Sequence, residues 1–165
     1  INFVFHNVPN AECPAELTFS IPDLKLYDGA ENLSQTMHNL LPIRGAKARD
    51  ALRWANYLEQ ALDQVEGVDV YIASHNWPIW GNEKIRSFIR IHRDVYKYMH
   101  DQTLRLLNHG YTAREIADMV KLPKSLSAHL GARGYYGDIR HNVKAIDQFY
   151  QGTAGQDLRA DGLHG

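Results

Sequence analysis

The chain has 165 residues, with 18 Lys and Arg against 19 Asp and Glu, so its formal net charge is -1. A length near that of one average domain, with 44% apolar and 22% charged residues, excludes disordered, collagen-like and coiled-coil chains. The balanced charge gives no overall attraction to nucleic acid or to an anionic membrane.

The first half of the chain is predicted to form an α/β arrangement. Short apolar runs bounded by turn residues predict strands at residues 1–5, 17–21, 24–27 and 68–73. Apolar residues recur at steps of three and four from Ala48 to Val65, which predicts a helix between the third and fourth strands. In such a fold the functional residues lie on loops at strand ends. His75, just after the last strand, occupies such a place.

The second half is predicted to be helical. Apolar residues follow one face of a long helix from Asn82, the predicted N-cap, to about residue 107, where Asn108-His109-Gly110 ends the pattern. Thr112 and Glu115 have the spacing of a capping box, which predicts a second helix. The remaining predicted segments are a short helix from Lys124, a Gly-rich turn at 131–137, a helix at 142–150, and a disordered tail at 153–165.

Two binding functions without catalysis are possible for these helices. Residues 111–127 resemble a helix-turn-helix, and residues 110–145 carry 6 Lys and Arg against 3 Asp and Glu. After Lys124, however, the second helix offers no Arg, Asn or Gln to base edges, so we expect no nucleic-acid partner. The other hypothesis is an interaction module that dimerises through the apolar face of residues 82–107.

Several polar residues on predicted loops could form a site. None of the nine histidines belongs to a His-x-His or His-x-x-x-His pair, so no two imidazoles are presented locally to one metal ion. Asn39 and Arg44 could together bind a tetrahedral oxyanion, because a guanidinium donates two parallel hydrogen bonds and an amide adds another. Glu12 and Glu31 follow strand-like runs, where a lone carboxylate is usually a solvated surface group.

Six motifs occur in a characteristic order. They are Asn10-Ala-Glu12-Cys-Pro-Ala-Glu16, Asp28-Gly-Ala-Glu31, Met37-His-Asn39-Leu, Arg44-Gly-Ala-Lys-Ala-Arg49-Asp, Ser74-His75-Asn-Trp-Pro-Ile-Trp-Gly, and Gly134-Tyr-Tyr-Gly137 with His141-Asn142. Each motif alone carries little information, but together they resemble the linear alkylsulfatases of the metallo-β-lactamase superfamily.

The resemblance implies a binuclear zinc site that hydrolyses alkyl sulfate esters, such as dodecyl sulfate, to an alcohol and sulfate. It implies that Glu12, Glu31 and His75 are metal ligands, with Glu31 bridging the two metals, and that Asn39 and Arg44 bind the sulfate group. Two further residues are candidates for the pocket wall, namely Tyr136 and His141.

The resemblance also implies a domain organisation. Residues 1–80 would be the second part of an αββα metallo-β-lactamase fold, and residues 81–152 the start of a helical dimerisation domain that forms a homodimer. The superfamily's His-x-His-x-Asp-His motif is absent, so the other metal ligands would lie upstream and this chain alone is expected to be inactive. Family members are often periplasmic or secreted. No transmembrane segment is predicted, because the chain has no run of about 18 apolar residues.

Overall fold

The computed structural model describes residues 1–42 and 47–161, with side chains described up to residue 152. It contains a five-stranded mixed sheet whose strands follow one another in chain order. They are β1 (Val4–Asn7), β2 (Leu17–Ile21), β3 (Leu26–Asp28), β4 (Val70–Ile72) and β5 (Ile79–Trp80). Neighbouring strands are antiparallel except β3 and β4.

Among the described residues, five α-helices accompany this sheet. They are α1 (Ala51–Gln64), α2 (Asn82–Asn108), α3 (Ala113–Met119), α4 (Lys124–Ser127) and α5 (Ile139–Asp161). Helix α1 connects the parallel strands β3 and β4, because two parallel strands need a long crossover. Helix α5 is interrupted at Gly152, whose φ of 70° and ψ of 174° are not helical. The predicted tail at 153–165 lies outside the described side chains and stays a prediction.

One hydrophobic core joins the two halves of the chain. Trp54 and Leu58 of α1 are fully buried together with Ile85 and Ile89 of α2, and the same cluster includes Ile146 of α5. The apolar face of α2 therefore packs inside this chain. The hypothesis that this face of residues 82–107 forms a dimer contact is wrong, because α1 and α5 already cover it.

The two faces of the sheet differ. Thr18 and Tyr27 are buried beneath the helices, where the Tyr27 hydroxyl donates to Thr18 Oγ1 at 2.8 Å. The opposite face carries the rings of Phe3, Phe5 and Phe19, whose centroids lie 5.8–6.2 Å apart. We call these three rings the aromatic patch. Phe5 is 62% exposed, so this face has no apolar cover within the described residues.

Several predicted elements have different boundaries. Strand β1 begins at Val4 rather than at residue 1, and a 3-10 turn at Pro22–Leu24 delays β3 to Leu26. Strand β5 was not predicted, since it has only two residues. Helix α5 begins at Ile139 rather than at Asn142, because Asp138 Oδ1 accepts hydrogen bonds from the backbone amides of Arg140 and His141 in its first turn.

Two predicted helical features have different roles in the structure. Gly81 is the N-cap of α2, while the Asn82 side chain donates to the carbonyl oxygens of Val65 and Val68 at 2.6 and 2.9 Å. Helix α4 has only four residues, about one turn, which is too short to serve as a recognition helix in a major groove. The capping box of Thr112 and Glu115 is confirmed.

Within the described residues, no helix has the length and apolar character needed to cross a bilayer.

Candidate metal centre

The strand directions bring three loops to one edge of the sheet. Strands β1 and β3 run the same way because each is antiparallel to β2, and β4 is parallel to β3. The loops that follow these three strands therefore leave the sheet at the same edge. They carry Glu12, Glu31 and His75 respectively. The Ser74 amide donates to the Ala30 carbonyl oxygen at 3.2 Å and joins the second and third loops.

Glu31 lies between two imidazoles. Its Oε1 is 2.7 Å from His75 Nε2, and its Oε2 is 2.7 Å from His38 Nε2. Burial alone would raise the pKa of Glu31, but the hydrogen bonds from His38 and His75 outweigh it and lower the pKa below its usual value. The Glu31 carboxylate is therefore kept ionised.

A second carboxylate completes a compact donor cluster. The ligand atoms of Glu12, Glu31 and His38 all lie within 4.8 Å of one another. Carboxylate oxygen and imidazole nitrogen are donors that zinc accepts readily, so the chemistry of this cluster fits the metal implied by the sequence resemblance. His75, bonded to Glu31 and 56% exposed in its side chain, could add a further nitrogen donor.

Arg49 is the buried cation of the cluster. It is only 8% exposed, and its guanidinium forms an ion pair with the Glu12 carboxylate while Nε donates to the Glu12 carbonyl oxygen at 2.7 Å. Its Nη1 donates to Asn39 O at 2.7 Å and to Asn39 Oδ1 at 2.6 Å. Arg49 thus fixes Glu12 and Asn39 relative to each other and balances the negative charge of the site.

The helical half holds the segment 37–40 in place. The His38 amide donates to the Tyr96 hydroxyl at 2.8 Å. Asn142 donates from Nδ2 to the His38 carbonyl oxygen and accepts from the Leu40 amide, both at 2.9 Å. The Tyr136 ring meets the His38 ring edge-on, with the centroids 4.8 Å apart. The orientation of His38 is therefore set by both halves of the chain.

Glu16 lies behind the cluster. It is 8% exposed, and its two carboxylate oxygens accept hydrogen bonds from the backbone amides of Glu12, at 3.2 Å, and Asn32, at 2.8 Å. Burial raises the pKa of Glu16 to about 7, although the two backbone hydrogen bonds act in the opposite direction.

The predicted site residues have different positions relative to this cluster. Glu12 and Glu31 lie in one cluster with His38, and His75 contacts Glu31. Asn39 contacts Arg49, and the Tyr136 ring contacts the His38 ring. His141 is set back, because its Nε2 contacts the carbonyl oxygen of Leu41 at 2.7 Å. Arg44 lies outside the described residues. The roles of Glu12, Glu31 and His75 as metal ligands, and of Asn39 and Arg44 as sulfate ligands, stay predictions.

Sequence reasoning assigned no role to His38 or Arg49. Both residues stand inside the motifs that also contain Asn39 and Arg44. Arg49 lies just before the amphipathic pattern of α1. A charged residue at that place gave no indication that it would be buried. Only its contacts with the loop of Glu12 and with Asn39, ten residues earlier in the chain, reveal its role.

A cleft of about 870 Å³ opens beside Glu12. Pro14, Pro42 and Phe149 form apolar parts of its wall, Lys47 and Arg53 contribute positive charge, and Glu12 and Asp50 contribute negative charge. The apolar part of this wall suits an apolar portion of a ligand.

The sequence of this chain is similar to that of known proteins. Residues 112–153 match the family model described as alkyl sulfatase dimerisation. A linear primary-alkylsulfatase from Pseudomonas sp. is 45% identical over 154 residues, which are 92% of this chain and 23% of that protein. The chain is a homologue of one segment of the alkylsulfatases. An alkyl/aryl-sulfatase from Saccharomyces cerevisiae is 43% identical over 92% of this chain and 24% of its own length.

A solved structure has the same fold over the segment that this chain matches. The stereoselective inverting sec-alkylsulfatase from Pseudomonas sp. superposes with a TM-score of 0.89 at 37% identity, over 94% of this chain and 25% of that one. The predicted order of an α/β region followed by helices is confirmed. The chain spans about a quarter of the length of these relatives.

Proposed function

We propose that this chain is part of a zinc-dependent alkylsulfatase that hydrolyses alkyl sulfate esters to an alcohol and sulfate. The observation that carries the proposal is the cluster of Glu12, Glu31 and His38, with His75 bonded to Glu31, in a homologue of one segment of the alkylsulfatases. In this proposal residues 1–80 are the second part of a metallo-β-lactamase fold.

The residues of this chain would have different roles at the metal site. Glu12, Glu31 and His75 would hold zinc, which lowers the pKa of a bound water to about 7 and so supplies hydroxide near neutral pH. His38 and Arg49 would orient the two carboxylates, since ligands of a metal are usually fixed by a surrounding layer of hydrogen bonds. The Glu31 carboxylate, already ionised, needs no proton removed before it binds.

Sulfate recognition would fall to Asn39 and Arg44. Negative charge grows on the ester oxygen as the alkyl sulfate is cleaved, and preorganised donors stabilise that charge. The Asn39 side-chain oxygen already accepts from Arg49, so its NH₂ group is the donor that a sulfate oxygen would meet. The alkyl tail would lie along the apolar wall of the cleft near Pro14 and Phe149.

Bound metal is the measurement that tests this function. The chain should be purified alone and together with the upstream segment that carries the His-x-His-x-Asp-His motif, and its zinc content determined by elemental analysis. We expect close to two zinc ions per complex in the second sample, with loss on Glu31→Gln. Glu66→Gln, an exposed position outside the cluster, is the matched control. No metal in either sample would refute the proposal.

Homodimerisation is a second proposed property, favoured by the match of residues 112–153 to the alkyl sulfatase dimerisation model. Sedimentation equilibrium should then give twice the chain mass. Glu12→Ala with His75→Ala would remove two of the three proposed metal ligands and leave the dimer intact. A monomer at all concentrations would contradict this property without affecting the metal proposal.

A further inference from the structure

We infer that Glu16 is a positioning residue for the metal centre: its carboxylate sets the spacing between the loop that carries Glu12 and the loop that carries Glu31. The inference rests on the proposed function, because those two loops matter only if their carboxylates bind metal.

The geometry of Glu16 is that of a bridge between two loops. One carboxylate oxygen accepts from the amide of Glu12, at 3.2 Å, and the other accepts from the amide of Asn32, at 2.8 Å. The first amide belongs to one proposed ligand, and the second directly follows the other. A carboxylate is the side chain for this position because both of its oxygens are acceptors.

Both ends of the bridge are held firmly. The Asn32 peptide is fixed from its other side by Trp54, whose Nε1 donates to Asn32 O at 2.6 Å. The backbone of Glu16 is fixed too, since its carbonyl oxygen accepts from the Val8 amide at 2.9 Å. A displacement of the Glu16 carboxylate would therefore be transmitted to the loops.

The free-energy cost of burying Glu16 argues against a role in packing alone. It is only 8% exposed, and none of the ion pairs found among the described residues includes it. A buried carboxyl group without a cation destabilises a fold unless hydrogen bonds compensate it. Here the compensating hydrogen bonds go to the two loops of the candidate metal centre.

The test uses Glu16→Gln, which keeps the volume of the side chain. Glutamine has one acceptor oxygen and one NH₂ group, and the NH₂ group would face a backbone N–H that also donates. The variant therefore loses its hydrogen bond to one of the two loops. Amide hydrogen exchange in the 165-residue chain should become at least about tenfold faster at Glu12 or Asn32, and Glu66→Gln should change neither amide.

Zinc affinity of the chain with its upstream segment supplies the second measurement. We expect Glu16→Gln to weaken zinc binding about tenfold or more, as is usual when a group that orients a ligand is lost. If Glu16→Gln does not fold, Glu16→Asp replaces it, because the shorter side chain cannot reach both amides.

The outcomes separate the two proposals. If wild-type zinc binding depends on Glu31 and the folded Glu16 variant binds equally well, only the positioning role is overturned. If the wild type binds no zinc, the proposed function and the positioning role are overturned together. Weakened zinc binding with faster exchange at the loop amides, at a near-native melting temperature, supports the inference.

Discussion

Gly137 and His38 lie so close together that no side chain fits between them. A Cβ atom at Gly137 would be 2.2 Å from the His38 carbonyl oxygen and 2.8 Å from that of Met37. The Gly137 amide donates to the same Met37 carbonyl oxygen at 2.7 Å. The Gly-rich turn of the helical half is therefore pressed directly against the segment that carries His38.

Gly137→Ala should destabilise the fold and displace His38. The new methyl group would meet backbone atoms, which cannot move aside as a flexible side chain can, so we expect a loss of about 2 kcal/mol or more in the free energy of unfolding. Urea denaturation measures it. Gly134→Ala is the control, because its closest contact would be the Asp138 carboxylate, at 3.1 Å, and the Gly137 carbonyl oxygen would lie at an ordinary contact distance of 3.5 Å. Equal stability of the two variants would contradict this account.

Arg49→Lys should be destabilising although it conserves the charge. A lysine has no planar fork, so it cannot donate to Glu12 and Asn39 at the same time, and the partly buried Glu12 carboxylate would lose part of its pairing. We expect the free energy of unfolding to fall by about 2–3 kcal/mol.

Arg53→Lys is the matched control for that change. Arg53 pairs with Asp50 at 3.6 Å on the surface, with its side chain 46% exposed, and such pairs contribute about 0–1 kcal/mol. A similar loss of stability for both lysine variants, measured by guanidinium denaturation, would show that Arg49 acts only as a charge.

His92 should make the fold less stable in acid. Burial lowers its pKa from 6.5 to about 4, helped by the charge of His129 and opposed by a hydrogen bond to the Gln35 backbone. Between pH 6.5 and 4 the unfolded chain therefore binds more protons than the folded chain. The free energy of unfolding should fall as pH decreases through this window, by up to about 3 kcal/mol from this residue.

His92→Gln removes the titrating group, so its free energy of unfolding should depend less on pH between 6.5 and 4. His109→Gln, at an exposed position, should keep the wild-type dependence. Denaturation curves at several pH values measure both. The assignment to His92 fails if all three proteins lose stability in parallel.

The aromatic patch should cause association of the isolated chain. Phe3, Phe5 and Phe19 expose a continuous apolar surface, and such surfaces mark contacts or aggregation sites. We expect Phe5→Lys with Phe19→Lys to reduce the concentration-dependent species seen in sedimentation velocity. Leu24→Lys, an exposed residue outside the patch, should not. Wild-type chain that forms no species larger than a dimer would argue against this role.

The helices could be predicted from the sequence better than the strands. The apolar repeats of α1 and α2 and the capping box of α3 are local patterns, and each forms where it was predicted. Strand β5 has two residues, too few for an alternating pattern. Asn82 resembles an N-cap by sequence, and only the approach of Val65 and Val68 explains where its side chain points.

Only part of the candidate site could be predicted from the sequence. The resemblance predicted Glu12, Glu31 and His75 on three loops, and the strand directions explain why those loops meet. The roles of His38 and Arg49 could not be predicted, because each depends on partners far away in the chain. Arg49 can contact both Glu12 and Asn39 only after the sheet and α1 have packed together.

The hydrogen bonds of Asn142 also determine when the site can form during folding. They connect residues 102 and 104 positions apart in the chain, and contacts across such long loops form late because closing the loop costs entropy. The segment 37–40 leaves the ribosome early, yet its hydrogen bonds to Asn142 cannot form until α5 has been synthesised and has docked. A nascent chain that stops before α5 lacks these two hydrogen bonds and holds His38 only through contacts such as that with Tyr96.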